Sequence, residues 1–296
     1  LPGCRSVYQH TQAQATESDR RAAVELFQEA RAGYAATGRA ELEARMWEAA
    51  GRLHLDLGEP ERAAAAFTEA LEDFEALGIV DTAATLRGHL GNVALSLGHA
   101  EEALQHFQAA HATWVELGNL RFQASMLSNL GNTHASLGDF EAAAEHLARS
   151  LPLRQEAGDL SGEIYTLLNL GLLNRRLGRL DEAVAFAEPA VAIARRLGDP
   201  LLLRKTLYGA GVIRHARGDD TGSEAALREG LEIARQQGAH RDRALLLVNL
   251  ARTLESLGRW DEALRAASRS AELFADHAGP RQQADALLVE AGRLVR

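Results

Sequence analysis

The sequence predicts an all-α protein, an α-solenoid of antiparallel helix pairs with about fourteen helices and no sheet. Three glycine series carry that prediction. Gly38, Gly78, Gly118, Gly158, Gly198 and Gly238 recur every 40 residues, and Gly58, Gly98, Gly138, Gly178, Gly218 and Gly258 sit 20 residues out of phase. Each closes a run of 17 to 19 residues with helical periodicity. Glycine suits that place because a left-handed residue ends a helix at least steric cost. A third series, Gly51, Gly91, Gly131, Gly171 and Gly211, with Ala251 in the sixth unit, lies inside the first helix of each pair. Glycine within a helix costs about 1 kcal/mol against alanine. Its recurrence therefore implies a backbone pressed against a neighbouring helix.

Taken in order, residues 1–17 carry no repeat signature and read as a leader or the remnant of a preceding helix. The chain begins at Leu1 rather than methionine, which reads as a piece of a longer protein. Ser18 or Asp19 is the expected N-cap of a helix over 19–37, the second member of a pair by its place before Gly38. Six complete pairs follow at about 40–77, 80–117, 120–157, 160–197, 200–237 and 240–277, each a helix A followed by a helix B. The A-to-B turns use Glu59-Pro60, Asp139 and Asp219, and Pro200 and Pro280 open helices A, where proline removes no needed hydrogen bond. Pro152 and Pro189 instead fall inside helices B, where each deletes a bond to the residue four earlier, and a bend is expected at both. The last element, 281–296, reads as a helix A with Gly292 in the internal-glycine slot. It presents Leu287, Leu288, Val289, Leu294 and Val295 with no helix B to follow. A solenoid end lacks one interface, so a weak homodimer through this helix, or fraying, is expected. Residues 18–296 are read as one repeat array.

Two columns of small residues complete the pattern. Ala63, Ala103, Ala143, Ala183, Ser223 and Ala263 share one position of helix B, and Ala70, Ala110, Ser150, Ala190, Gly230 and Ser270 share another. Ahead of the internal glycine run Ala50, Leu90, Leu130, Leu170, Ala210 and Leu250, and three residues earlier Trp47, Leu127, Leu167, Leu207 and Leu247, with Arg87 the exception. This order (bulky, leucine, glycine on helix A, then alanine, bulky, alanine on helix B) resembles the tetratricopeptide repeat. The family's usual period is about 34 residues, and periods near 40 also suit HEAT or armadillo units. The glycine and alanine columns favour the tetratricopeptide. The longer period is similar to the subclass of LGN/Pins proteins, kinesin light chains and bacterial regulators that sense peptides. The family's proline near the end of helix B is missing, Glu75 and Gln155 standing there. The resemblance, which spans roughly residues 19 to 296, implies a right-handed superhelix whose concave wall is lined by helices A.

Composition excludes several classes. A formal charge of −9 argues against a nucleic-acid surface, which needs a basic face. The single cysteine, Cys4, allows no internal disulfide and fits a reducing, cytoplasmic location. Apolar runs are far too short to span a bilayer, and no signal peptide is evident. Lys205 is the only lysine and alanine is abundant, which reads as a GC-rich bacterial genome. There is no HExxH, no phosphate-binding glycine loop and no Gly-x-Ser-x-Gly. Neither catalysis nor a metal or other cofactor is expected.

The binding candidates lie on helices A. By the family pattern, groove positions fall six, three and two residues before the internal glycine and one, four and five after it. Asn92 and Asn132 fall one after, while Asn129, Asn169 and Asn249 fall two before. An amide can donate to and accept from the backbone of an extended peptide without reading its side chains. The alternative is that asparagine here only fixes helix packing. Leu172 and Val212 replace it in pairs four and five, so the ladder is expected to stop at Asn169. A basic cluster, Arg175, Arg176, Lys205, Arg214 and His215, with Tyr165 and Tyr208 between, suits an acidic side chain, a C-terminal carboxylate or a phosphate. Its bland reading is a solvated helix end favoured by the dipole, above all for Arg176 and Arg214. The expected function is thus a protein- or peptide-binding scaffold or sensor. The rivals are a small-molecule-sensing regulatory array and a structural self-association module.

Overall fold

The computed structural model describes residues 16–277, and among them are thirteen α-helices and no strand. They are α1 Glu17–Ala36, α2 Ala40–Asp56, α3 Pro60–Ala76, α4 Val80–Ser96, α5 Ala100–Glu116, α6 Leu120–Leu137, α7 Phe140–Glu156, α8 Leu160–Arg176, α9 Leu180–Leu197, α10 Pro200–Arg217, α11 Asp220–Gln236, α12 His240–Ser256 and α13 Trp260–His277. α1 is a helix B, and from α2 onward the even-numbered helices are helices A. The expected helix at 281–296, and the homodimer built on it, lie outside the described residues.

Helix ends follow the glycines. All twelve glycines of the two outer series have φ between 63° and 89°. At the end of α2, Gly58 N–H donates to the Leu55 carbonyl at 3.0 Å and Glu59 N–H to the His54 carbonyl at 2.8 Å. This pair of bonds is the Schellman arrangement, which satisfies carbonyls that a helix end leaves open. It recurs at nine of the other outer glycines. At Gly198 a simpler form appears, because Asp199 precedes Pro200 and takes an extended conformation.

Helix starts are less uniform. Asp139, Asp159, Asp199 and Asp219 each accept from a backbone N–H in the first turn of α7, α8, α10 and α11. Pro60 and Pro200 open α3 and α10. The N-cap of α1 is Thr16 and not Ser18 or Asp19. Thr16 Oγ1 accepts from Asp19 N–H at 3.2 Å, and Asp19 Oδ2 accepts from Thr16 N–H at 2.8 Å. This reciprocal box satisfies two otherwise open donors, which a cap at Ser18 would not. α7 and α9 run unbroken through Pro152 and Pro189. Both prolines, and Ala148 and Ala185 four residues earlier, face solvent, so water can replace the missing donor.

Contacts group into two compact units, one ending at Leu137 and the other beginning at Gly138. In the first, each helix packs on its sequence neighbours; in the second, α10 also touches α8 and α12, so successive helices A meet. The internal glycines make these contacts close. A Cβ on Gly51 would stand 2.6 Å from the Phe67 ring, on Gly91 2.6 Å from Phe107, and on Gly211 2.6 Å from Leu227. Phe67, Phe107 and Leu227 are fully buried. The small columns of helix B are sealed as well: Ala63, Ala70, Ala103, Ala110, Ala183 and Ala190 are all 0 % exposed. Large side chains thus fill the slots that glycine and alanine leave open. Each such buried aromatic or leucine contributes about 1.5–3 kcal/mol.

Candidate functional site

In the second unit, side chains from three successive helices A meet on one face. Lys205 on α10 donates from Nζ to the Tyr165 hydroxyl on α8 at 3.3 Å, and its ammonium stands 5.3 Å from the Tyr165 ring centroid. Among the described residues, no carboxylate pairs with Lys205. Across α10, the Asn249 amide on α12 donates to the Leu245 carbonyl at 2.9 Å and approaches the Tyr208 hydroxyl at 3.5 Å. Both donors of Asn249 are therefore engaged inside the unit.

Between α10 and α12 lies a pocket of about 100 Å³ lined by Arg204, Lys205, Tyr208, Asp242, Leu245 and Leu246. Arg204 is buried, 6 % exposed, and its guanidinium bonds Asp242 and Gln237. It occupies a column filled elsewhere by Ala44, Ala84, Ala124, Ile164 and Ala244, all 0 % exposed. A cation placed in an apolar column needs its own counter-charge, and Asp242 supplies it.

The rest of the basic cluster is dispersed. His215 Nδ1 lies 2.6 Å from Asp220 Oδ1, and Ser256 Oγ donates to the other Asp220 oxygen at 2.5 Å. Burial raises the Asp220 pKa, but the bonds from Ser256 and His215 outweigh it and hold the carboxyl below its ordinary value. Arg214 reaches the Gly222 carbonyl at 3.4 Å and Glu188 at 3.8 Å, a tie at the helix end. Arg176 stacks over the Phe140 ring at 5.6 Å. Arg175 is half-buried with its Nε enclosed and without an acceptor. Asn169 is half-buried on α8.

In the first unit, Asn92 on α4 and Asn132 on α6 are exposed, and Asn129 is half-buried one turn from Asn132. The Met126 side chain on α6 reaches across to Gly88 on α4, where an added Cβ would lie 3.4 Å from its terminal carbon. His89 shares the column of Asn129 and stacks on Phe67 at 5.3 Å with an interplanar angle of 21°. Burial, with a smaller contribution from the Arg52 charge, pushes its pKa down to about 4, so it is neutral at pH 7. Farther toward the start, a cleft of about 460 Å³ opens among α1, α2 and α3. There Glu59 receives His54 at 2.8 Å, Arg21 at 3.2 Å and Arg62 at 3.3 Å, and the His54 hydrogen bond lowers its pKa.

Family models described as tetratricopeptide repeat match residues 81–156, 162–236 and 202–276, and a second such model matches 44–72. The chain belongs to the tetratricopeptide repeat family. Its fold is similar to BtubC (BKLC) from P. vanneervenii, with a TM-score of 0.67 and 18% identity over 75% of this chain and 94% of that one. It is also similar to aspartyl phosphate phosphatase F from Bacillus subtilis, with a TM-score of 0.65 and 14% identity over 84% and 64%. A Rap protein complexed with Competence and Sporulation Factor aligns with a TM-score of 0.60 and 15% identity over 86% and 74%. No curated protein matches. These likenesses, all at low identity, speak to the fold.

Tetratricopeptide geometry accounts for what the sequence reading found and what it missed. Tyr165 and Lys205, one repeat apart in the same column, are in contact, and Asn249 meets Tyr208 from a different column. Arg204, Asp242 and His89 escaped notice, although Arg204 breaks a column of alanines and His89 stands in a column of asparagines. Among the described residues no helix is long and apolar enough to cross a membrane, and no three His, Cys, Asp or Glu side chains are grouped to hold a metal.

Proposed function

We propose that the chain is a non-catalytic binding module that holds an extended peptide or protein segment on the groove faces of its helices A. The observation that carries this reading is the line of Tyr165, Lys205, Tyr208 and Asn249 across α8, α10 and α12. It joins an unneutralised ammonium to the phenol of the neighbouring repeat, and a second phenol on the same helix to the Asn249 amide, a surface suited to a segment lying across several helices. Asn92, Asn129 and Asn132 form a second patch in the first unit, where amides can bond peptide backbone. Asn169 and Arg175 extend the candidate surface on α8, while His215 acts through its hold on Asp220. The similar Rap protein is complexed with Competence and Sporulation Factor, which supports a binding role for this architecture. The single cysteine and lone lysine support a bacterial, cytoplasmic setting.

The test is peptide selection from a random phage-displayed library, followed by fluorescence anisotropy with the selected peptides. A double Asn129→Ala, Asn132→Ala variant should keep its helical content and weaken binding, since each such bond contributes about 1 kcal/mol. Lys205→Ala should weaken binding in a salt-dependent way, because screening acts on charge and little on amides. Selected peptides whose affinity survives all three substitutions would refute the assignment. A second reading, a small-molecule-sensing array, is favoured by the cleft near Glu59. Its volume of about 460 Å³ suits a small ligand, and a metabolite screen by thermal shift tests it.

A further inference from the structure

The pocket between α10 and α12 has a size and lining that narrow what the groove can take. The geometry points to a subsite for one branched aliphatic side chain, leucine, isoleucine or valine, of a bound segment that carries an acidic residue beside it. This deepens the peptide-binding reading and rests on it.

Size comes first. The cavity holds about 100 Å³, below the roughly 150 Å³ of an engineered apolar cavity that admits benzene. A four-carbon side chain fits, and an aromatic ring does not. Lining comes next. Tyr208, Leu245 and Leu246 supply hydrocarbon walls, and Leu246 is almost fully buried beneath them. Arg204 and Asp242, the two opposite charges in the wall, neutralise each other, and Gln237 takes a further guanidinium hydrogen. Neither is left to call for a charged guest. Charge at the mouth comes last. Lys205 is exposed and, among the described residues, meets a phenol and a ring in place of a carboxylate. An acid adjacent to the aliphatic anchor would complete it.

The experiment is selection of random linear peptides on phage against the full chain, then anisotropy with synthetic forms of the winners. The expected result is enrichment of leucine, isoleucine or valine over phenylalanine and tryptophan at one position, with aspartate or glutamate beside it. Leu245→Phe, which fills the pocket, should weaken an anchored peptide by about tenfold or more, the worth of one buried aliphatic side chain. The same peptide with its anchor changed to alanine should lose little further affinity in that variant. Lys205→Gln should erase the preference for the neighbouring acid while keeping the anchor. Should Leu245→Phe fail to fold, Leu245→Ala enlarges the same pocket and should shift selection toward aromatic anchors. Winners with no aliphatic anchor, or with affinity indifferent to both Leu245 variants, overturn the subsite and leave the binding function standing. Absence of any binder overturns the binding function itself.

Discussion

Replacing Gly91 by alanine would test the packing logic of the whole array. The added Cβ would meet Cε1, Cδ1 and Cζ of Phe107 at 2.6, 2.8 and 2.8 Å. Carbon atoms rest best at about 3.5–4.0 Å, so the ring must retreat by about 1 Å. Phe107 is fully buried against its neighbours and has nowhere open to go. Forcing extra volume into such a core costs about 1–3 kcal/mol, while alanine returns up to about 1 kcal/mol of helix propensity. The expected net loss is about 1–2 kcal/mol, read as a lower urea midpoint and melting temperature by far-UV circular dichroism. Gly33→Ala is the control, since Gly33 is helical and has nothing within 4 Å of its virtual Cβ. It should stabilise by the propensity term alone. Combining Gly91→Ala with Phe107→Leu should recover part of the loss, because two residues in contact do not act additively. If Gly91→Ala stabilised the protein as Gly33→Ala does, the internal glycine would not be a packing device.

Three further outcomes are expected. The His89 pKa is depressed to about 4 in the fold from an ordinary 6.5, so the unfolded chain binds more protons between those values. Its contribution is full above about pH 6.5 and is lost as pH falls toward 4, at most about 1.4 kcal/mol per pH unit and about 3 kcal/mol in all. His89→Phe should flatten that part of the stability profile, and an unchanged profile would contradict the assignment. Asp242→Ala strands the buried Arg204 and should cost about 2 kcal/mol, while Arg204→Ile, copying Ile164 in its column, should cost less. Equal losses in urea denaturation would show that the charge is not buried as described. Pro152→Ala and Pro189→Ala each restore a backbone donor and should raise the melting temperature, with a ceiling near 3 kcal/mol. A fall for both would mean that the array relies on the missing bonds.

Which features were readable in advance follows from the range of the forces behind them. Helix boundaries, the left-handed glycines and the aspartate caps depend on bonds between residues two to five apart, so a linear pattern contains both partners. The sequence alone therefore determined the alternation of helices, their number up to residue 277 and the close approach at Gly51, Gly91 and Gly211. Even here one local choice was misjudged: Thr16 won the cap of α1 because Asp19 could return a bond to its backbone. The candidate site was legible as a set of columns, since the repeat brings residues 40 apart onto neighbouring helices, as Tyr165 and Lys205 show. What each polar group does with its donors was not. Asn249 gives both of its donors to Leu245 and Tyr208, and His215 turns to Asp220. Arg204 finds Asp242 across two turns and a helix. Only tertiary structure decides these pairings, because a hydrogen bond exists or fails within a few tenths of an ångström, a tolerance that residue spacing along a chain does not encode.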